Sequence, residues 1–359
     1  WVTPSALSDE ARNLRAQRVA LAAQPLNLAL ALEVAEGYAR LGQSESDPRY
    51  YAYARSALSP WWENPDPPLS VLLLRAQILQ AGHEFAAALA DLDRVLAADP
   101  RNPQARLTRA LLLQTRGDFE NAGRACVGLF GVVSPLSLTT CAAGAGAMTG
   151  KAEKSASLLE RAVRDPGAAS VDERLWALTV LGEISAQAGR PAEAERAFQK
   201  ALSLGWRSVY LLAAFSDFLL DQGRFAEAAE FLKDETRSDA LLLRLAIAEQ
   251  ATGLPKAAEH RQILESRFGT LRLRGEKIHG REEARFALHV LADSKRALAL
   301  ARENWETQRE PADVRIFLEA AAASKKIGAA TPVLNWIRRS GFKDARIASV
   351  LKQFGGKHP

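Results

Sequence analysis

Two cysteines, five histidines and one glycine-rich segment are the residues whose chemistry bears weighing first. Cys126 and Cys141 are the only thiols in the 359-residue chain. Two thiols lack the companion ligands of a four-coordinate zinc. The choice lies between a disulfide, which implies an oxidising compartment, and two buried free thiols packing as small hydrophobes. Gly144-x-Gly146 followed by Gly150-Lys151 looks like a phosphate-binding loop until the spacing is counted. A Walker loop needs four residues before its Gly-Lys, then Ser or Thr; Gly146 leaves three, Gly144 leaves five, and Ala152 follows the lysine. The dinucleotide-binding version also fails, since no second strand or acidic partner follows. A helical reading makes Gly144 and Gly146 small residues at a close helix contact.

His83, His260, His279, His289 and His358 form no HExxH or comparable ligand spacing, and no G-x-S-x-G nucleophile elbow exists. His279-x-x-Glu282 falls at a predicted helix start, where a glutamate favours the helix dipole. The histidines are therefore expected as surface or packing residues. The expectation is no catalytic residue, no metal and no cofactor, and a chain that holds other molecules rather than transforming them.

The elements that carry these residues are helices. Alanine and leucine dominate and β-branched residues are sparse, which favours helix because such side chains lose little freedom there. Hydrophobic residues make up 48% and charged residues 25%, which excludes both a disordered chain and a membrane bundle. No apolar run reaches the roughly 18 residues that span a bilayer. The net charge of +5 comes from 47 basic and 42 acidic residues that interleave, often at i,i+4 spacing, as on a solvated helix face. The chain begins at Trp1 rather than Met, so an upstream segment is expected to have been removed, a cleaved signal peptide being one reading.

Internal repeats organise the helices. Phe85 and Phe119 lie 34 residues apart, as do Ala88 and Ala122, within His83-Glu84-Phe85-x-x-Ala88 and Gly117-Asp118-Phe119-x-x-Ala122. Gly189-Arg190-Pro191-x-x-Ala194 and Gly223-Arg224-Phe225-x-x-Ala228 repeat the pattern, again 34 apart, and Gly150 and Gly253 mark looser copies. In each copy a helix of about fourteen residues ends near a glycine that permits a tight turn. An aromatic residue or proline opens the second helix, and a small alanine lets the two approach. Neither helix can bury its apolar stripe alone, so hairpins must stack.

This pattern, and the series Leu181-Gly182, Gly189, Ala194, Phe198, Ala201 in particular, resembles the tetratricopeptide-repeat family over residues 28–268, about seven copies. The resemblance implies an all-α, right-handed superhelical solenoid of antiparallel helix pairs. Residues 1–27 would cap its N-terminal end, with a helix over 8–24. Residues 269–359 would hold eroded hairpins at 282–305, 312–326 and 331–339, after a loop at 271–277. A closing helix would span 344–354, and 355–359 would fray. The family pattern is broken by extra residues around Gln43-Ser44-Glu45-Ser46-Asp47. It is broken again at Pro166-Gly167-Ala168-Ala169, after which Ser170-x-x-Glu173 reads as a capping box.

In this register Cys126 sits on a second helix and Cys141 on the next first helix, adjacent enough for a bond if the Cα atoms approach within about 7 Å. Arg75 and Arg109, 34 apart on first helices, flank Asp91 on the intervening second helix, which suggests a ladder Arg75–Asp91–Arg109 across the seam, favoured over an anion site because the Arg heads would face the packing seam. Trp61-Trp62 before Pro65-x-Pro67-Pro68 reads either as a cover over the groove's end or, the favoured reading, as a plug in the seam between the first two copies.

The family lines a concave groove with its first helices. Carried over, that implies a partner-binding surface in which Trp176 and Tyr210 form one row and Glu183 and Asp217 a second, each pair 34 apart. Earlier copies would add Leu73, Gln77, Gln104, Leu107 and Gln114. Trp and Tyr dominate binding hot spots; equally, these two aromatic residues would pack against neighbouring copies. The repeated Lys and Asn of relatives that bind chaperone tails are missing, so that ligand is not expected. The implied function is a scaffold for a protein or peptide, monomeric or weakly self-associating, periplasmic or otherwise extracytoplasmic, with the cytoplasm as the alternative. The competing readings are an enzyme subunit with a site around 279–285, and nucleic-acid binding through the arginine-rich segment 267–285.

Overall fold

The computed structural model describes residues 9–45, 48–273 and 280–355. All regular elements among them are helical, with no strand. His279, His358, Ser8, Ser46, Asp47, the end of the 271–277 segment and the 356–359 part of the tail lie outside the described residues.

Two compact units divide the chain, residues 1–108 and 109–359. The first contains α1 (Asp9–Ala23), α2 (Leu28–Glu45), α3 (Pro48–Ala57), the short α4 (Ser59–Trp62), α5 (Leu69–Ala81) and α6 (Phe85–Ala98). The division falls inside α7 (Pro103–Thr115). In the second unit follow α8 (Phe119–Val127), α9 (Pro135–Gly146), α10 (Ala152–Arg164), α11 (Val171–Gln187), α12 (Pro191–Leu202), α13 (Val209–Asp221), α14 (Phe225–Leu232), α15 (Asp239–Thr252) and α16 (Ala257–Leu273). The unit ends with α17 (Gly280–His289), α18 (Ser294–Trp305), α19 (Pro311–Ala323), α20 (Thr331–Ser340) and α21 (Ala348–Leu351).

Local sequence explains most helix starts. Ser134, Ser208 and Asp118 cap α9, α13 and α8 by accepting a backbone N–H in the first turn. Ser170 and Glu173 form the expected capping box of α11. Glu173 is held below its usual range: burial would raise it, and hydrogen bonds from Ser134, Ser137 and Ser170 outweigh that.

The turn inside each hairpin requires one residue in the left-handed region. Gly117, Gly150, Gly189, Gly223 and Gly253 supply it, with φ between 70° and 78°. At the equivalent place in the α5/α6 hairpin stands His83 (φ 60°), because Gly82 keeps a negative φ. Ala292 (φ 54°) and Lys325 (φ 57°) make the turns of α17/α18 and α19/α20. Close approach also fixes glycine at 182, where a side chain would begin 2.6 Å from the Phe198 ring.

In the first unit the Arg75 guanidinium grips Asp91 through Nε and Nη2, both at 2.7 Å, and its Nη1 donates to the Trp62 carbonyl. Trp62 is buried and lies under the Arg55 guanidinium at 4.6 Å, so it packs as expected. Arg109, the third member of the predicted ladder, belongs to the second unit.

The second unit has one continuous apolar cluster from Leu175 to Val290 and another that joins Phe119 and Met148 to residues of α17–α21. Two expectations change at its C-terminal end. Residues 271–273 continue α16 rather than starting a loop. Segment 344–354 is not one closing helix but three single turns. Those turns follow the core they bury: Ile347 and Val350 join the second cluster, as does Phe342 just before them.

Candidate ligand-binding face

The disulfide joins Cys126 of α8 to Cys141 of α9, with Cα atoms 5.6 Å apart. Gln114 lies over it, its amide donating to the Cys141 carbonyl at 3.2 Å with both sulfurs within 3.7 Å. Expected on the groove, Gln114 instead faces the helix seam, since its amide needs the carbonyl there. Gly144 and Gly146 are close-contact residues, as the helical reading required. Side chains there would begin 2.8 Å from Gln114 Oε1 and 2.6 Å from Ser155 Oγ.

The two rows expected on first helices are joined rung by rung. The Tyr210 hydroxyl on α13 donates to Glu183 on α11, and Arg244 on α15 donates to Asp217 on α13 at 2.5 Å. Each pair is separated by 27 residues, so the same seam geometry occurs twice, one repeat apart. Continuing the step that links Trp176 to Tyr210 reaches Arg244. That spacing was the signal for a residue the sequence reading passed over. Arg244 is buried, and it also donates to the carbonyls of Ala213 and Ala240.

Beyond these rungs the inner face closes on itself. Arg285 of α17 reaches Asp217 at 2.8 Å, 68 residues away, and Arg315 of α19 reaches Asp221, 94 residues away. Helices in contact sit about 8–10 Å apart. α13 and α19 are three hairpins apart in sequence, so a straight stack would separate them by several times a salt-bridge length. The second unit therefore curls until its later first helices meet its earlier ones. Gln187 fixes the closure by donating to both the Ala147 and Lys343 carbonyls, at 3.0 and 2.9 Å.

The charges inside are matched. Burial would raise Asp217, yet Arg244 and Arg285 hold it well below the usual carboxylate range. Glu319 is likewise brought down to about 2, because His289 and Arg315 outweigh its burial. Glu183 goes the other way: burial pushes it up to about 7, with Tyr210 and Arg346 opposing. A folded value above the unfolded one means the folded chain binds this proton first, so Glu183 favours folding more as pH falls from about 7.5 toward 4.5. Replacing it by Gln, which still accepts the tyrosine hydroxyl, should flatten that slope. The stability gap between wild type and Glu183→Gln, measured by urea unfolding, should change by on the order of 1 kcal/mol between pH 8 and pH 5.

Of the other expected groove residues, Trp176 is half-buried and Tyr210 is 45% exposed. Leu73, Gln77 and Leu107 are half-buried and Gln104 is exposed, all four in the first unit. His260 pairs with Glu249 inside the α15/α16 hairpin at 2.7 Å, and His289 faces Glu319 at 3.2 Å. Among the described residues no cluster of His, Cys, Asp and Glu could hold a metal, and no helix is long and apolar enough to cross a membrane.

These features define a helical-repeat solenoid whose first helices carry polar and aromatic rows. Its fold is that of tetratricopeptide-type repeat proteins. No family model matches the sequence, and no curated protein matches it. Among solved structures, the chain is similar to Rap protein complexed with competence and sporulation factor, at 12% identity and a TM-score of 0.50, over 90% of this chain and 98% of that one. A tetratricopeptide repeat protein from Parabacteroides merdae aligns at 18% identity and 0.49, over 67% of this chain and 92% of that one. The human IFIT1 dimer with m7Gppp-AAAA aligns at 14% and 0.49, over 92% and 86%.

Proposed function

We propose that this chain is a scaffold that binds a partner protein or peptide, with Trp176 and Tyr210 as anchors and Glu183 as their polar neighbour, and that it has no catalytic role. The observation that carries this reading is the accessibility of the two aromatic residues. They lie one repeat apart on α11 and α13, and each keeps surface in solvent while most large aromatics of the unit are buried. Aromatic side chains held by a neighbour bring large contact area at low entropic cost. Asp217 contributes less than its row suggested, since Arg244 and Arg285 both engage its carboxylate. A protein of similar fold, Rap, is known in complex with competence and sporulation factor, a precedent for ligand capture on such an array. The test is crosslinking capture with the native chain and with Trp176→Ala/Tyr210→Ala. The captured partner should fall at least tenfold in the double variant, whose circular dichroism should be unchanged. Equal capture would remove these residues from the site.

The nucleic-acid alternative is disfavoured by the arginines it invoked. Arg267 pairs with Asp239, Arg272 with Glu283, Arg281 with Glu310 and Arg285 with Asp217. Guanidiniums committed to carboxylates are poor phosphate contacts. The Cys126–Cys141 bond supports an extracytoplasmic setting, the periplasm being one such compartment. Denatured, unreduced protein should show no titratable thiol, and two thiols would withdraw that support.

A further inference from the structure

Arg116, directly after α7, and Arg309, between α18 and α19, line a cleft of about 350 Å³ with Leu113, Gly117 and Asp118. Arg309 is pinned there: its backbone N–H donates to the Thr115 carbonyl at 2.8 Å, and its guanidinium lies 5.7 Å from the Trp305 ring centroid. Gly117, with φ 78°, forms part of the wall, and a side chain there would begin 3.0 Å from the Arg309 side chain. The indole Nε1 of Trp336 lies 3.4 Å from that same point.

The cleft gathers two guanidiniums beside the one carboxylate of its lining, that of Asp118. Burial, and then Arg339 and Arg116, lower the proton affinity of Arg309. Asp118 does line the cleft, but both its oxygens turn to Asn121, capping α8 through the Asn121 N–H at 3.3 Å and the Asn121 amide at 2.7 Å. A volume near 350 Å³ falls within the usual range for small-molecule sites.

We propose that this cleft binds a phosphoryl group, held by Arg116 and Arg309 with Arg339 adding field. Arginine forks suit phosphate oxygens, which accept several hydrogen bonds at once. Because Arg309 belongs to the C-terminal hairpins and Arg116 to the turn after α7, the anion would clip the closure of the second unit.

The test is calorimetric titration of the full chain with inorganic phosphate and, separately, with free phosphoserine, against potassium chloride at equal ionic strength. Saturable binding of phosphate alone identifies a free anion as the occupant. Binding of phosphoserine at least tenfold tighter identifies a phosphate monoester. In either case Arg309→Gln and Arg116→Gln should each weaken Kd at least tenfold, while Arg338→Gln, an exposed arginine bonded to Asn335, should stay within twofold. Arg116 is exposed, so its variant should fold even if Arg309→Gln does not. Heat no greater than chloride gives, or equal loss in Arg338→Gln, would overturn the proposal.

Discussion

Gly150→Ala is expected to destabilise the second unit by about 2–4 kcal/mol, among the largest effects of any single methyl group in this chain. Two terms add. Gly150 has φ 77°, where an alanine loses roughly 1–2 kcal/mol. The added Cβ would also stand 2.3 Å from the Gly341 carbonyl oxygen. That obstacle is backbone, and Gly341 is itself held at φ 68° at the end of α20 with its N–H bonded to Ile337, so it cannot easily yield. Gly253→Ala separates the terms, because φ there is 70° but nothing lies within 4 Å of the new carbon. It should show the conformational loss alone. Urea unfolding of both variants measures the difference, and equal losses would mean that α20 does not end against the α9/α10 turn.

Asp217→Ala is expected to destabilise by about 3 kcal/mol. Removing one partner of a buried ion pair leaves uncompensated charge and typically costs about 3–5 kcal/mol; partial exposure of the Asp217 carboxylate, at 25%, places it at the low end. Two guanidiniums, those of Arg244 and Arg285, would then face each other without the anion between them. The pH dependence gives a second check. A carboxylate held below its ordinary value contributes fully above about pH 4 and loses that contribution as the pH falls through its folded value. The gap between wild type and Asp217→Asn should therefore narrow in strong acid. A constant gap down to pH 2 would show that packing rather than charge carries the effect.

The hairpin fold was legible because three residue types recur at one interval. A glycine turns the chain, an aromatic residue or proline restarts it, and an alanine permits close packing. The same register put both cysteines in one seam, where they are bonded. The C-terminal hairpins were legible only as fragments because Ala292 and Lys325 occupy the turn position that glycine marks elsewhere. Gln114 was misread because its helix presents it to the disulfide, a direction that row spacing alone does not resolve. The closure of the inner face was invisible for a different reason. Pairs such as Asp221 with Arg315 depend on the summed curvature of several hairpins, and no local spacing encodes that sum.

That closure changes how the second unit must reach its native state. Repeats that touch only their neighbours can nucleate anywhere and unravel from an end. Here the Thr115 hydroxyl meets Glu310 across 195 positions of sequence. Joining such distant segments adds only about 0.6 kcal/mol of loop entropy per doubling of length, yet a high contact order slows the search. The price of the closed ring is thus time rather than equilibrium stability, and its hairpins form or melt together instead of fraying singly.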